Sequence, residues 1–392
     1  MSQKQNETRY DVVIVGARVA GASTALRLAQ AGLRVLVVDK GRYGSDTLST
    51  HALMRPAVLL LHRWGVLDAL VAAGTPSVRK TTFWYSDDVS QSVAEVDIKS
   101  RHGVDALFAP RRYVLDAALV DAARAAGAEF RFSTRLVELL RDEAGRITGV
   151  ELEDSARTES RVEADLVIGA DGRNSHVARL VGAAKYATGR YASATAYGYF
   201  RDLPIDGYRW YYRPGTGAGA LPTNGGETLV FVAVERNRLS SSPGALREAF
   251  AASIRASAPD IGRGLEEATL SGKMWLFPGM EGFLRQPWGE GWALVGDAGY
   301  MSDPITAHGI TNALRDAEIL SRTIIEGRHL GSYQLTRDDL SNAFFEVSDR
   351  VASYDWDIPT VQQYHRIMSR EMGREETMLA QTVPARTEFR AA

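Results

Sequence analysis

Residues 11–39 read DVVIVGARVAGASTALRLAQAGLRVLVVD, and the order of these pieces decides the fold. Residues 11–15 are a short apolar run rich in β-branched side chains, the pattern of a buried strand. The turn GARVAG (16–21) follows at once. Residues 22–31 carry helix formers, and Gly32 supplies a helix stop. Residues 33–38 form a second buried strand that ends in Asp39. Strand, glycine turn, helix and strand in this register are the nucleus of a dinucleotide-binding α/β domain.

Each position in the turn has a physical task. Gly16 permits a tight exit from the strand, and Gly21 permits close packing of the helix on the sheet. Between them, Ala17 and Arg18 leave the helix N-terminus open, with free N–H groups for a pyrophosphate. Asp39 is placed to accept hydrogen bonds from an adenosine ribose. The middle glycine of the usual GxGxxG pattern is replaced by Arg18. Its backbone N–H is still available, and its side chain adds a charge-assisted contact to phosphate.

Two further motifs lie downstream. EADLVIGADG (163–172) is a strand running into Asp171-Gly172, followed by Arg173-Asn-Ser175. GWALVGD (291–297) is a strand ending in Gly296-Asp297, and it leads through Pro304 into HGITN (308–312) and a helix over 313–325. Three motifs in this order and spacing resemble the group A flavoprotein monooxygenase family, the relatives of para-hydroxybenzoate hydroxylase, over nearly the whole chain to about Gly327. Within it, the GARVAGA loop and the segment SDTLSTH (45–51) resemble a bacterial subgroup of FAD-dependent oxidoreductases.

The resemblance implies FAD as cofactor and assigns the residues around it. Gly16, Arg18 and Gly21 would line the pyrophosphate, Asp39 would hold the ribose, and Lys40 would lie over the adenine edge. Arg55, ahead of a helix over 56–64, would reach the phosphates. Arg112 of RYVLD (112–116) would lie near the flavin, and Val137 would meet adenine through its backbone. Asp171 and Gly172 would touch FAD and help NAD(P)H pass. Asp297 would bind ribityl or ribose hydroxyls. Gly309, Ile310 and Thr311 would present N–H groups to the isoalloxazine carbonyl, where a helix N-terminus also stabilises the negative charge of reduced flavin. His308 and His51 would face the flavin, either as proton donors or as spacers. GDAGY (296–300) and AHG (307–309) stand where the family often reads GDAAH and GQG, which bears on flavin positioning and substrate choice.

The fold expected is α/β: a Rossmann-type, three-layer FAD/NAD(P)-binding domain with an inserted antiparallel β-sheet substrate domain and C-terminal helices. The FAD-binding domain takes residues 1–75, 111–184 and 288–330. The substrate domain takes 76–110 and 185–287, and 331–392 forms the helical end, with fraying after Gln381. Aromatic side chains concentrate in the inserted sheet, including Trp84, Tyr85, Tyr197, Tyr199, Trp210, Tyr211, Tyr212, Phe231 and Trp275. Most are core, and some line a mostly apolar pocket. Arg209 and Arg213 either flank that pocket to pair with a carboxylate or face solvent. GTGAG (215–219) reads as a loop.

By resemblance, NAD(P)H reduces FAD, and O2 then gives a flavin C4a-hydroperoxide that oxygenates a small aromatic or polyketide-like substrate. Three other readings stand beside this one. They are a dehydrogenase or reductase on the same fold, such as one that saturates isoprenoid double bonds, a flavin-dependent halogenase, and a non-enzymatic flavin sensor or carrier. WLFP (275–278) and WDIP (356–359) only brush against the halogenase WxWxIP pattern.

Composition closes off other classes. The 392 residues include no cysteine, which excludes disulfides, thiolate metal sites, iron–sulfur clusters and redox cysteine pairs. A formal net charge of −2 recruits neither nucleic acid nor anionic membrane by bulk charge. No HExxH metal spacing or GxSxG elbow is present. The polar first ten residues predict no signal peptide, no run reaches the ~20 apolar residues of a membrane span, and a cytoplasmic protein is expected. Its oligomeric state, monomer or homodimer, stays open.

Overall fold

The structure is a computed structural model that describes residues 9–239 and 242–383; the N-terminal residues 1–8 and the expected fraying beyond Gln381 lie outside this range, except that the last helix, Ile358–Thr382, runs one residue past Gln381.

The strand Arg9–Val15, the helix Val19–Gln30 and the strand Val35–Asp39 form as the apolar pattern requires. Val12, Ile14 and Val37 point into one buried cluster, and Val13, Leu36 and Val38 into another. The sheet is therefore covered on both faces, which is why its strands read as continuous apolar runs rather than alternating ones. Its order is Trp288–Gly289, Trp292–Leu294, Glu159–Gly169, Arg9–Val15, Val35–Asp39 and Glu129–Phe132, with the hairpin Thr134–Arg141 and Ile147–Asp154 attached to the long strand.

Parallel register aligns the strand ends. Val15 pairs with Gly169 and with Val38, and Gly169 pairs with Leu294. All three sequence motifs thus leave the sheet at its carboxyl edge, where ligands bind in open α/β sheets.

A second sheet of seven strands has the order Thr269–Phe277, Ser193–Arg201, Thr228–Glu235, Thr216–Pro222, Tyr208–Arg213, Lys80–Ser86 and Gln91–Asp97. It is not wholly antiparallel, because Tyr208–Arg213 runs parallel to Lys80–Ser86. The two strands come from separate excursions of the chain, so no tight turn forces them to oppose. The glycine-rich stretch expected as a loop is instead part of the strand Thr216–Pro222. A Cβ on Gly219 would meet the Phe231 ring at 2.5 Å, so glycine there makes room for an aromatic neighbour on the next strand.

One face of this sheet carries Tyr197, Tyr199, Trp210, Tyr212 and Phe231 into the main core shared with the first domain. The other face packs Phe200, Tyr211, Val230 and Val232 against the helices Pro243–Ser257 and Pro259–Gly264. Arg209 pairs with Asp260 on the second of these helices, and Arg213 pairs with Asp88, so both arginines are engaged by the protein's own carboxylates. A small sheet of Lys185–Thr188, Phe283–Arg285 and Tyr300–Met301 stands apart from the large one. The helices Gly309–Ile325, Gly331–Ala352 and Ile358–Thr382 close the fold. Among the described residues, no helix is long and apolar enough to cross a membrane.

Candidate FAD site

The first turn is built by sterics. Gly16 has φ +110°, and a Cβ there would meet Ala170 O at 2.4 Å. A Cβ on Gly21 would lie 1.8 Å from Gly16 O. The helix Val19–Gln30 therefore sits directly on the turn and delivers its N-terminus to the sheet edge. Asp39 holds the same turn closed. Its Oδ2 accepts the Ala17 N–H at 2.7 Å, and its Oδ1 accepts the Gly41 N–H at 2.6 Å.

A cavity of about 770 Å³ opens above this edge. Gly16, Arg18, Asp39, Lys40, Arg112, Asp171, Gly172, Asp297, Pro304, Gly309 and Ile310 all line it. Ala17 lines a small recess next door, with Arg18 and Asp39. Fold and motifs thus converge on one space, and the aromatic sheet supplies its far wall through Thr195, Tyr197 and Phe277.

Charge along the walls is organised. Arg18 reaches Asp116 at 2.9 Å, and Arg112 holds the same carboxylate at 3.0 Å. Arg18 also donates to Ser45 O and Asp46 O, which ties down the loop ahead of His51. Asp171 caps the short helix His176–Leu180, accepting the N–H of His176 at 2.5 Å and the Ser175 hydroxyl. Among the described residues no protein group hydrogen-bonds the carboxylate of Asp297. Burial pushes its pKa up to about 6 against the opposing pull of Arg173 and Arg112. The helix Gly309–Ile325 begins on the cavity wall, so its first N–H groups lack partners within the helix.

Several expected residues stand elsewhere. Arg55 is not among the lining residues: it donates to Val104 O at 3.1 Å and lies 3.9 Å from Glu376 on the last helix. Val137 does not line the cavity, whereas Thr134, Arg135 and Leu136 do; the strand pairing shifts register between Leu136 and Glu138. Thr311 is fully buried behind Ile310, and Gly296 lies below the wall, where a Cβ would meet Ala20 at 2.8 Å. His308 is buried, and its Nε2 is 2.8 Å from Glu375 instead of on the cavity wall.

His51 does line the cavity. Its Nε2 lies 3.0 Å from the Tyr199 hydroxyl, and burial, with Arg111 and Arg112 nearby, drives its pKa down to about 3. Sequence reasoning missed Arg111, which pairs with Asp46 and Glu227 and stacks on the Tyr199 ring at 3.5 Å. It also missed Phe277, Met301, Ser302 and Arg179 on the cavity wall. Phe277 ends an aromatic strand just before a proline, a cue that was available; the others carry no local signal.

These donors and acceptors fit FAD. Two guanidiniums and a helix N-terminus would face a pyrophosphate beside Gly16, whereas Gly21, expected on the pyrophosphate, packs beneath the turn and does not line the cavity; an unshared carboxylate would suit ribose or ribityl hydroxyls, and a second helix N-terminus would suit the flavin carbonyl. The FAD binding domain family matches residues 9–329. This chain belongs to that family.

Relatives within reach of the family differ in chemistry. A digeranylgeranylglycerophospholipid reductase of Methanosphaerula palustris is 27% identical over 347 residues, spanning 82% of this chain and 77% of the relative. Among solved structures, pqsL, a probable FAD-dependent monooxygenase from Pseudomonas aeruginosa, superposes with TM-score 0.76 at 20% identity, covering 92% of this chain and 100% of that one. The flavin-dependent brominase Bmp2 superposes with TM-score 0.76 at 18% identity, covering 96% and 94%. The Rossmann-type flavoenzyme fold is common to them, and the chain is an FAD-binding oxidoreductase by family.

Proposed function

We propose that this protein is an NAD(P)H-dependent FAD monooxygenase that oxygenates a small, flat aromatic or polyketide-like substrate. The observation that carries the reading is the makeup of the cavity, whose dinucleotide-type wall faces Tyr197 and Phe277 of the aromatic sheet across one continuous space. FAD, once bound, supplies the electron transfer and the activation of O2.

The chain's own residues have the remaining tasks. Arg18 and Arg112 hold the pyrophosphate, with Asp116 fixing both guanidiniums. Asp297 orients the sugar hydroxyls, and the N–H groups of Gly309 and Ile310 hold the flavin carbonyl. Tyr197, Phe277 and Met301 exclude water and stack a planar substrate. His51 stays neutral beside Tyr199 and shapes the pocket. No side-chain nucleophile is required. Val137, Thr311 and Arg55 act behind the walls in this reading.

A second reading, reduction of an isoprenoid double bond, is supported by the similarity to the archaeal reductase. One experiment separates the two. The FAD-loaded protein is given NAD(P)H and candidate phenols or polyketides under 18O2, and products are read by mass spectrometry. An 18O-labelled product is expected. Unlabelled, hydrogenated product from a geranylgeranyl lipid, with none from phenols, moves the assignment to the reductase.

A further inference from the structure

Among the described residues, every arginine on the cavity wall but one is engaged by the protein's own acceptors. Arg18 and Arg112 share Asp116, Arg135 pairs with Glu153, and Arg179 donates to Asn174 O. Arg173 also lines the cavity and is half-buried, yet no carboxylate or carbonyl of the described residues accepts from it. Its guanidinium lies over the Phe277 ring instead, 5.1 Å from the centroid.

Thr195 is a second unused group. It lines the same cavity, is only 5% exposed, and its hydroxyl oxygen has no hydrogen-bond partner among the described residues. Thr195 and Phe277 pair directly on neighbouring antiparallel strands, so their side chains stand side by side on one face of the sheet. The ring thus has an unpartnered hydroxyl beside it and an unpaired cation over it. Leu48 and Met301 pack in the same small apolar cluster as Phe277 and line the cavity as well.

We propose that Arg173 and Thr195 form a subsite for a carboxylate carried by a flat substrate, whose apolar body is held by Phe277, Leu48 and Met301. The inference rests on the reading of a planar substrate given above and deepens it by naming that substrate as an acid.

The chemistry of the two groups favours an acid over a neutral ligand. A guanidinium keeps its charge at every working pH, and its fork of donors matches the two oxygens of a carboxylate. A cation held over a ring gives up water but gains no counter-charge, and an anionic ligand supplies one. A buried hydroxyl left without a partner is costly until an oxygen accepts from it. Other claims on Arg173 are weaker. Asp297 feels its charge, since Arg173 opposes the burial that raises the carboxyl pKa, but no ion pair joins the two among the described residues. The pyrophosphate has Arg18, Arg112 and the first helix N-terminus, whereas Thr195 and Phe277 belong to the other sheet. Arg209 and Arg213 of that sheet are already paired with Asp260 and Asp88, which leaves Arg173 to meet an acid.

The test uses the FAD-loaded full chain and two probes of one shape, naphthoate and its neutral isostere naphthamide. Each is titrated against the visible absorbance of the bound flavin, which reports binding without turnover. Wild type is expected to bind naphthoate more tightly than naphthamide by roughly tenfold or more, the worth of a hydrogen bond to a charged group. Arg173→Gln is expected to bring the two affinities together while FAD content stays at the wild-type level, and Thr195→Val to weaken both probes. A preference for the acid that survives Arg173→Gln overturns the subsite. So does a variant that loses FAD, or one whose only change is weaker NADPH binding, because the guanidinium then serves the cofactor or the electron donor. Should Arg173→Gln fail to fold, Arg173→Met decides by the same criterion. Equal binding of both probes to wild type removes the subsite and leaves the planar-substrate reading standing, whereas a flavin that responds to neither probe removes both. None of these outcomes depends on whether a bound probe is oxygenated, which the 18O2 experiment decides.

Discussion

Arg18 and Asp116 stand 98 residues apart in the chain and form an ion pair at 2.9 Å in the small recess beside the cavity, with Arg18 also on the cavity wall. The arginine replaces the glycine that most dinucleotide turns use at this position, and Asp116 shares itself between Arg18 and Arg112. The substitution therefore exchanges close backbone approach for a fixed positive charge.

From this pair follows the first prediction. Arg18→Ala should weaken FAD binding by about 1.5–3 kcal/mol, the worth of a hydrogen bond to a charged group, with little change in thermal stability because the arginine is partly exposed. Asp116→Asn should also weaken binding, since it frees both guanidiniums. Fluorescence titration of the apoprotein with FAD measures both. Unchanged affinity in Arg18→Ala would remove the arginine from the phosphate site.

Gly21→Ala should fail for a steric reason. The new Cβ would lie 1.8 Å from Gly16 O, an atom of rigid backbone. Overpacking of a core costs about 1–3 kcal/mol and sometimes more, and here the clash also shifts the helix N-terminus off the cavity. A lowered melting temperature with little bound flavin is expected. Gly244→Ala is the control, because a Cβ there meets nothing within 4 Å and the residue does not line the cavity.

How much of this was legible beforehand follows from the range of the contacts involved. Gly16, Gly21 and Asp39 were readable because strand, turn and helix are determined within thirty residues, and the burial of the strands on both faces shows as unbroken apolar runs. Asp171 and Asp297 were readable as the ends of strands of the same sheet. What stayed hidden depends on partners far along the chain. Arg55 is drawn to Val104 O and toward Glu376, and His308 to Glu375 on the last helix. Neither carboxylate lies in a motif. The register shift beside Leu136, and the parallel junction of Tyr208–Arg213 with Lys80–Ser86, are likewise set by tertiary pairing.

Stability and cofactor binding should depend on pH through Asp297. Its folded pKa is pushed from 3.8 up to about 6 by burial, so the folded apoprotein binds a proton in a range where the unfolded chain has already released it. Apoprotein stability should therefore fall as pH rises from about 4 to 6, by roughly 3 kcal/mol at most for this one group. Asp303, buried and also raised to about 6, contributes in the same direction. Asp297→Asn should remove only the first part of the slope. FAD affinity should run the opposite way, improving as Asp297 ionises and accepts hydroxyl hydrogen bonds. Urea melts and FAD titrations at pH 4.5, 5.5 and 6.5 test this, and identical slopes in wild type and Asp297→Asn would refute it.

The last prediction concerns His51, which the resemblance placed beside the flavin as either proton donor or spacer. Burial is the main cause of its low pKa, about 3, and Arg111 and Arg112 add repulsion. The imidazole is then neutral at every pH where the protein works. The unfolded chain protonates this histidine near 6.5 while the folded one does not, so it should cost stability progressively as pH falls from about 6.5 toward 3. Its role in turnover is correspondingly static. The pH–rate profile between pH 5 and 8 should keep the same shape in His51→Gln, even where its height falls because the Tyr199 contact at 3.0 Å is altered. Tyr199→Phe should lower stability by about 1–3 kcal/mol, because it removes the hydroxyl partner from a buried imidazole nitrogen. An ionisation limb near neutrality that is present in wild type and absent from His51→Gln would show instead that His51 exchanges its proton during the reaction, and the histidine would have to be reassigned as an acid–base group.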